Sequence, residues 1–157
     1  MADLQRKIYN KLKRPALAAL ATVTRDGRPW ARYVMVQADP DLTIFIATFK
    51  GSRKVRQVRR QRDVHLLCGV TDYRRATSYL QIEGRAKVVT DPAVKRARWS
   101  DNLKAYFKGP DDPDYVVLVV EPRRIEFQDM QSMQPQVWQA PGTGGKKKSA
   151  KKGAKKK

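Results

Sequence analysis

Three apolar runs separated by turns too short for anything but reversal constrain this chain most. ALAALATVT, RDGRP, WARYVMVQ, ADPD and LTIFIAT follow one another between Ala16 and Thr48. Parallel pairing requires a crossover of about a dozen residues or more, so strands this close must run antiparallel, as a meander. The Asp26-Gly27 pair between two apolar runs is a hairpin signal in its own right.

The rest of the chain extends the pattern. In ADLQRKIYNKLKR, Leu4, Ile8 and Leu12 recur at helical spacing among charges, which predicts a short amphipathic helix ended before Pro15. After Gly51, Ser52 reads as an N-cap, and Val55 and Val58 give a narrow apolar stripe on a basic helix ending near Asp63. VHLLCGV reads as a buried strand, TDYRRA as a loop, and TSYLQIEGRAKVVT as a long strand in which Gly84 marks a bulge or bend. Asp91 and Pro92 supply an N-cap and a first-turn proline for a helix running through KRARWSDNLKAYF, which KGPDDPD terminates. YVVLVV and RIEFQDM read as two strands flanking a Glu121-Pro122 turn, and nothing after about Gln131 is periodic. About seven strands and three helices make a mainly β, α+β chain. A closed or nearly closed antiparallel, Greek-key-like barrel buries such strands without exposed edges.

Charge divides the chain. The 34 Lys and Arg against 15 Asp and Glu give a formal net charge of +19, which implies attraction to polyanions. Eight of those cations are the lysines of KKKSAKKGAKKK, residues 146–157, a segment without an acid or an apolar residue larger than Ala. Such a composition cannot offset the entropy of ordering, so residues 1–140 are expected to form one domain and 141–157 a disordered tail open to nucleic acid or another polyanion. Without a signal peptide or an apolar run near the ~20 residues a bilayer demands, the expectation is a cytoplasmic protein with no membrane contact.

The candidate chemistry narrows by exclusion. His65 is the only histidine and Cys68 the only cysteine, too few for a usual zinc site, and His65 has no evident nucleophile or base beside it. Walker and dinucleotide glycine fingerprints are absent. No protein acid or base is identified, so catalytic chemistry would come from a bound organic cofactor. FIATFKGSRK offers a place for one: a strand ends at Thr48, Gly51 permits a sharp turn, and Ser52 opens a helix beside Arg53 and Lys54. Free helix amides, a hydroxyl and two cations make an anion site. The same residues are equally compatible with a plain N-cap beside solvated cations. Arg56, Arg59, Arg60 and Arg62 lie too far along the helix to share one phosphate and read as a solvated face or a polyanion surface.

In order, GRPWARYVMVQ, LTIFIATFKGSRKVRQV, SYLQIEGRAKVV and LKAYFKGPDDPDYVVLVVEPRRIEF resemble the pyridoxamine 5'-phosphate oxidase-like, FMN-binding split-barrel superfamily, over roughly residues 10 to 128. Within it the chain looks most like the general stress protein branch. The resemblance implies a homodimer with FMN at two interface sites, FAD or a deazaflavin remaining open, and redox chemistry with an unknown small-molecule electron donor or acceptor. Arg32, Tyr33, Val34, Met35 and Gln37 fall on the segment that lines the isoalloxazine, with Arg32 as its phosphate-binding arginine. Thr48 matches a phosphate or ribityl contact, Ser52, Arg53 and Lys54 the phosphate-binding element, and Tyr79 and Gln81 the strand that reaches the flavin from the other subunit. Where pyridoxamine-phosphate oxidases carry Trp after Glu-Phe, this chain has Gln128, and the basic segment that grips their substrate is missing. The resemblance therefore implies a flavoprotein other than a true pyridoxamine phosphate oxidase. Its alternative is a non-catalytic flavin-binding stress protein whose Lys tail contacts polyanions.

Overall fold

A computed structural model describes residues 1–142, so residues 143–157, which carry every lysine of the tail, lie outside the described part. Helix α1 (Asp3–Leu12) leads into strands β1 (Ala16–Val23), β2 (Pro29–Ala38) and β3 (Ile44–Phe49). Helix α2 (Arg53–Arg60) follows, then β4 (Asp63–Cys68), β5 (Ser78–Val89), helix α3 (Pro92–Ala97), β6 (Tyr115–Asp129) and β7 (Pro135–Gln139). All pairings are antiparallel, in the order β3-β2-β1-β4-β5-β6-β7, and β3 also pairs with β6. That extra pairing closes β1 to β6 into a six-stranded barrel and leaves β7 outside it on the edge of β6. The meander is present, and the β3-to-β4 connection through α2 gives the Greek-key crossing.

Alternation within each strand sends one parity inward. Leu20, Ile46, Leu66, Leu80, Ile82 and Leu118 are all fully buried in one cluster with Ile8 and Leu12 of α1. Helix α2 adds Val55 and Val58 to this same core, so it closes the barrel with one face while its arginines stay in water.

Four expectations need correction. VHLLCGV is half-exposed rather than buried, because β4 lies on the barrel wall: Val64, Leu66 and Cys68 point inward and His65 and Leu67 outward. YVVLVV and RIEFQDM are one 15-residue strand, not two around a turn. Pro122 is tolerated because β3 pairs with β6 only up to Val120 and β7 only from Arg124, so its missing N-H faces a gap between two ladders. On the other side the β5–β6 register slips at Glu83/Gly84, the bulge that Gly84 had signalled. There a Cβ on Gly84 would stand 2.8 Å from the Glu121 carbonyl oxygen, which explains the glycine.

The third helix is also shorter than expected. It stops at Ala97, and a separate 3-10 turn covers Asp101–Ala105. Asp91 does cap it, accepting from the Ala93 and Val94 amides. The break falls at Ser100-Asp101-Asn102, residues whose side chains compete with helical hydrogen bonding. Arg98, just before the break, forks onto Asp39 at 2.8 and 2.6 Å and lies over the Phe45 ring. Finally, the segment after Gln131, which offers no periodicity from which to expect a strand, forms β7, which sets Trp138 opposite Ile125, half-buried against the core.

Candidate functional site

The end of β3 and the start of α2 bring together most of the residues singled out from the sequence. Arg32 has the inward parity of Val34 and Val36 but sits at the barrel end, where α2 closes it. Its Nη1 donates to Thr22 Oγ1 at 2.6 Å and to the Leu20 carbonyl at 3.2 Å, and its Nη2 donates to Gln57 Oε1 at 2.9 Å. Thr22 and Gln57 are themselves buried, and the Thr22 hydroxyl also donates to Gln57. The guanidinium is thereby fixed with part of its donor set uncommitted.

Lys54 Nζ donates to the Thr48 hydroxyl at 2.9 Å, and Arg53 lies over the Trp30 ring, 5.3 Å from its centroid. Among the described residues no carboxylate forms an ion pair with Arg32, Arg53 or Lys54. Burial, followed by repulsion from Arg53, pulls the Arg32 pKa down, and burial followed by repulsion from Arg32 does the same to Lys54. Three cations thus crowd one another without a counter-charge.

Ser52 decides between the two readings of this turn. It stands at the N-cap position with extended backbone, yet its hydroxyl makes no capping bond. Its Oγ is buried and has no hydrogen-bond partner among the described residues. A buried orphan hydroxyl is costly, and it sits where the first-turn amides of α2 also lack intrahelical partners. One tetrahedral oxyanion would satisfy the hydroxyl, the amides and the cations together, so the residues present fit a phosphate. The capping role expected of Ser52 is not observed.

Beyond this clamp runs an outward-facing groove of about 330 Å³, lined by Tyr33, Met35, Thr48, Lys54, Leu103 and Tyr106 among others. It continues along β2 into a second of about 540 Å³ that shares Met35, Leu103 and Tyr106 and adds Gln37 and Phe45. The two together give the apolar, ligand-sized concavity that small-molecule sites present, with Thr48 and Lys54 of the clamp on its wall. Val34 faces the barrel interior, although it also borders the first groove.

Tyr79 and Gln81 are not part of that arrangement. They line a third groove, of about 420 Å³, with Leu17, Leu67, Cys68 and Met130 on the β1–β4–β5 face. Tyr33 borders it as well as the first groove, so β2 separates the two. Sequence reasoning missed Thr22, Trp30 and Gln57, which hold Arg32 and Arg53 in place. Only Gln57 left a trace, as the one uncharged polar side chain in RKVRQVRR.

Comparison with known proteins places this geometry in context. Residues 4–129 match the family model described as pyridoxamine 5'-phosphate oxidase. The chain is 32% identical to General stress protein 26 of Bacillus subtilis (strain 168) over 125 residues, 80% of this chain and 88% of that protein. Its fold is similar to the crystal structure of General Stress Protein 26 from Bacillus anthracis str. Sterne, with a TM-score of 0.74 at 25% identity, covering 88% of this chain and 99% of that one. An F420 reductase structure is similar with a TM-score of 0.58 at 25% identity, covering 74% of this chain and 93% of its own.

Proposed function

The chain belongs to the pyridoxamine 5'-phosphate oxidase family, in its general stress protein branch, and from that premise we propose that it is an FMN-binding redox protein. The observation that carries the proposal is the orphaned Ser52 hydroxyl at a turn whose cations Arg32, Arg53 and Lys54 have no ion-paired carboxylate among the described residues, beside an apolar groove that Lys54 and Thr48 line. Bound flavin supplies hydride or electron transfer to the site. The protein's part is to bind, orient and screen it. Ser52, Arg53, Lys54 and Arg32 take the phosphate, Thr48 the adjoining ribityl or phosphate oxygen, and the β2 segment Tyr33 to Gln37 flanks the ring.

The occupied form is a homodimer in this reading. Tyr33 is 75% and Met35 53% exposed on the outer barrel face beside the groove, where a second copy would cover them. Tyr79 and Gln81 are on the neighbouring face and reach the flavin from a second copy. Pyridoxal phosphate synthesis is not proposed, because Gln128 and the residues after it lack the substrate grip of the true oxidases. The electron partner is a small molecule of another kind. FAD and deazaflavins carry phosphate too, and the similar F420 reductase keeps the deazaflavin within reach.

The test is an absorbance spectrum of the purified full chain before and after FMN is added and unbound flavin removed, with the released cofactor identified by chromatography. Stoichiometric flavin bands, weakened by Arg53→Ala, support the proposal. A protein that neither retains nor takes up any flavin refutes it.

A further inference from the structure

The cations that the flavin site does not use form a second surface. On α2, Arg56, Arg59 and Arg60 recur at helical spacing and are all exposed. Arg59 and Arg60 make no ion pair or side-chain hydrogen bond among the described residues, whereas Arg56 donates to the Gly51 carbonyl. The helix leads directly into β4, and that junction is tied to β5: the Ala86 amide donates to the Arg62 carbonyl at 2.8 Å, and Arg62 Nε donates to the Ala86 carbonyl at 3.0 Å. Beside it, outward-facing Arg85 and Lys87 of β5 and Arg123 of β6 extend the basic area.

This surface has few acids to balance it. Asp63 is shared loosely by Arg85 at 3.6 Å and Arg123 at 3.7 Å, and Glu121 pairs with Lys87 at 2.9 Å. Of these seven cations, six of them arginines, three are ion-paired, to the two carboxylates Asp63 and Glu121, and exposed Glu83 adds a third acid beyond Arg85 on the same face of β5. Like charges do not gather around so few acids to stabilise a fold, because exposed pairs add little and the remaining cations repel. The described chain also leaves the barrel here, since the Ala140 amide donates to the Arg123 carbonyl at 2.9 Å. The lysines of 146–157 follow that anchor within a few residues in sequence.

We propose that the ridge formed by Arg56, Arg59, Arg60, Arg62, Arg85, Lys87 and Arg123 binds the phosphate backbone of nucleic acid without reading its sequence. Arginine forks suit phosphate oxygens, and a row of them along a helix and two adjoining strands matches a periodic polyanion better than a single small anion. A membrane surface is the poorer partner. The apolar residues of α2, Val55 and Val58, are 0% and 1% exposed, so nothing beside the arginines can enter a bilayer as interfacial helices do. The ridge is separate from the clamp: Arg59 and Arg60 are in the last turn of α2, whereas Ser52 to Lys54 open the first.

The experiment uses the full chain and a random-sequence DNA duplex, titrated at several salt concentrations, beside the double variant Arg59→Gln/Arg60→Gln. Each backbone phosphate contact adds about 0.9 to the slope of log affinity against log salt, so the variant is expected to lose roughly 2 from that slope and to bind more weakly to every duplex alike. Its melting temperature and flavin uptake should match the parent, which separates this result from a folding defect and from failure of the flavin proposal. An unchanged slope in the variant, with binding abolished only by removing residues 143–157, would place the contact in the tail and overturn the proposal. Binding to phosphatidylserine vesicles but not to the duplex at the same salt would overturn it as well.

Discussion

The first and last turns of α2 carry nearly the same side chains and live in different electrostatic worlds. At the first turn, half-buried Lys54 lies close to half-buried Arg32, with exposed Arg53 over the Trp30 ring, an orphan hydroxyl and no ion-paired carboxylate among the described residues. At the last, Arg59 and Arg60 stand in water on a helix whose other face is packed into the core. The difference is one of desolvation. A buried cation without a counter-charge stores a cost that a ligand can relieve, whereas an exposed one is screened by salt and acts only in numbers. Under the two proposals the first turn suits one tightly held anion and the last many weakly held ones.

The largest expected effect breaks the first turn. Arg32→Ala removes a guanidinium held by Thr22 and Gln57, and a lost charge-assisted contact of about 1.5–3 kcal/mol weakens FMN retention roughly 10- to 100-fold. Arg59→Ala should leave retention unchanged when both are measured by fluorescence titration. Equal losses in the two variants would erase the distinction between the turns.

Next comes the packing that both turns share. Val58 is 1% exposed, and trimming it to alanine costs about 2 kcal/mol from lost burial and the cavity left behind, lowering the melting temperature by roughly 5–10 °C. Because Val58 anchors the helix between its two ends, flavin and duplex binding should weaken together in Val58→Ala as the temperature approaches the new transition, whereas variants of the first-turn or last-turn cations should weaken one and not the other.

A smaller effect turns on a sign. Since the Ser52 hydroxyl is buried and unpartnered, Ser52→Ala should leave the flavin-free protein as stable or about 1 kcal/mol more stable, while FMN affinity falls roughly 10-fold. Opposite movements of thermal stability and affinity are the signature. A parallel loss of both would mean that the hydroxyl caps the helix after all.

What could be read in advance follows the range of each interaction. The Asp26-Gly27 turn and the strands around it depend on neighbours in sequence, so the meander was legible, as was the GSRK turn. Gly84 was legible as a bulge, but its cause is the Glu121 carbonyl nearly forty residues away. Pro122 misled because a proline looks like a turn wherever it stands, and only the placement of β3 and β7 along β6 shows that its missing donor is not needed. β7 was invisible for a related reason: a five-residue edge strand whose one packed aromatic is Trp138 has no periodicity to detect. In the site, charged residues announced themselves, and the neutral groups that position them, Thr22 and Gln57, did not. Their role exists only once β1, β2 and α2 meet.

The smallest effect tests whether the cost stored at the first turn is electrostatic. Burial, then Arg32, holds the Lys54 ammonium below its ordinary pKa of 10.5. Between the lowered value and 10.5 the unfolded chain binds a proton that the folded one has given up, so folding stability rises with pH across that window, and below it the full cost remains. Cys68 acts in the opposite sense, because burial pushes its thiol from 9.0 up to about 11, and the stability it contributes is lost as pH rises through that range. The informative quantity is therefore the difference between Lys54→Met and the parent, both of which carry Cys68. Melting temperatures recorded from pH 8 to about 10.5 should climb less in the variant than in the parent. Saturating FMN should flatten the parent toward the variant, since a phosphate beside Lys54 restores the charged form. A parent whose profile already matches Lys54→Met without ligand would show that the crowded cations of the first turn are as well solvated as those of the last.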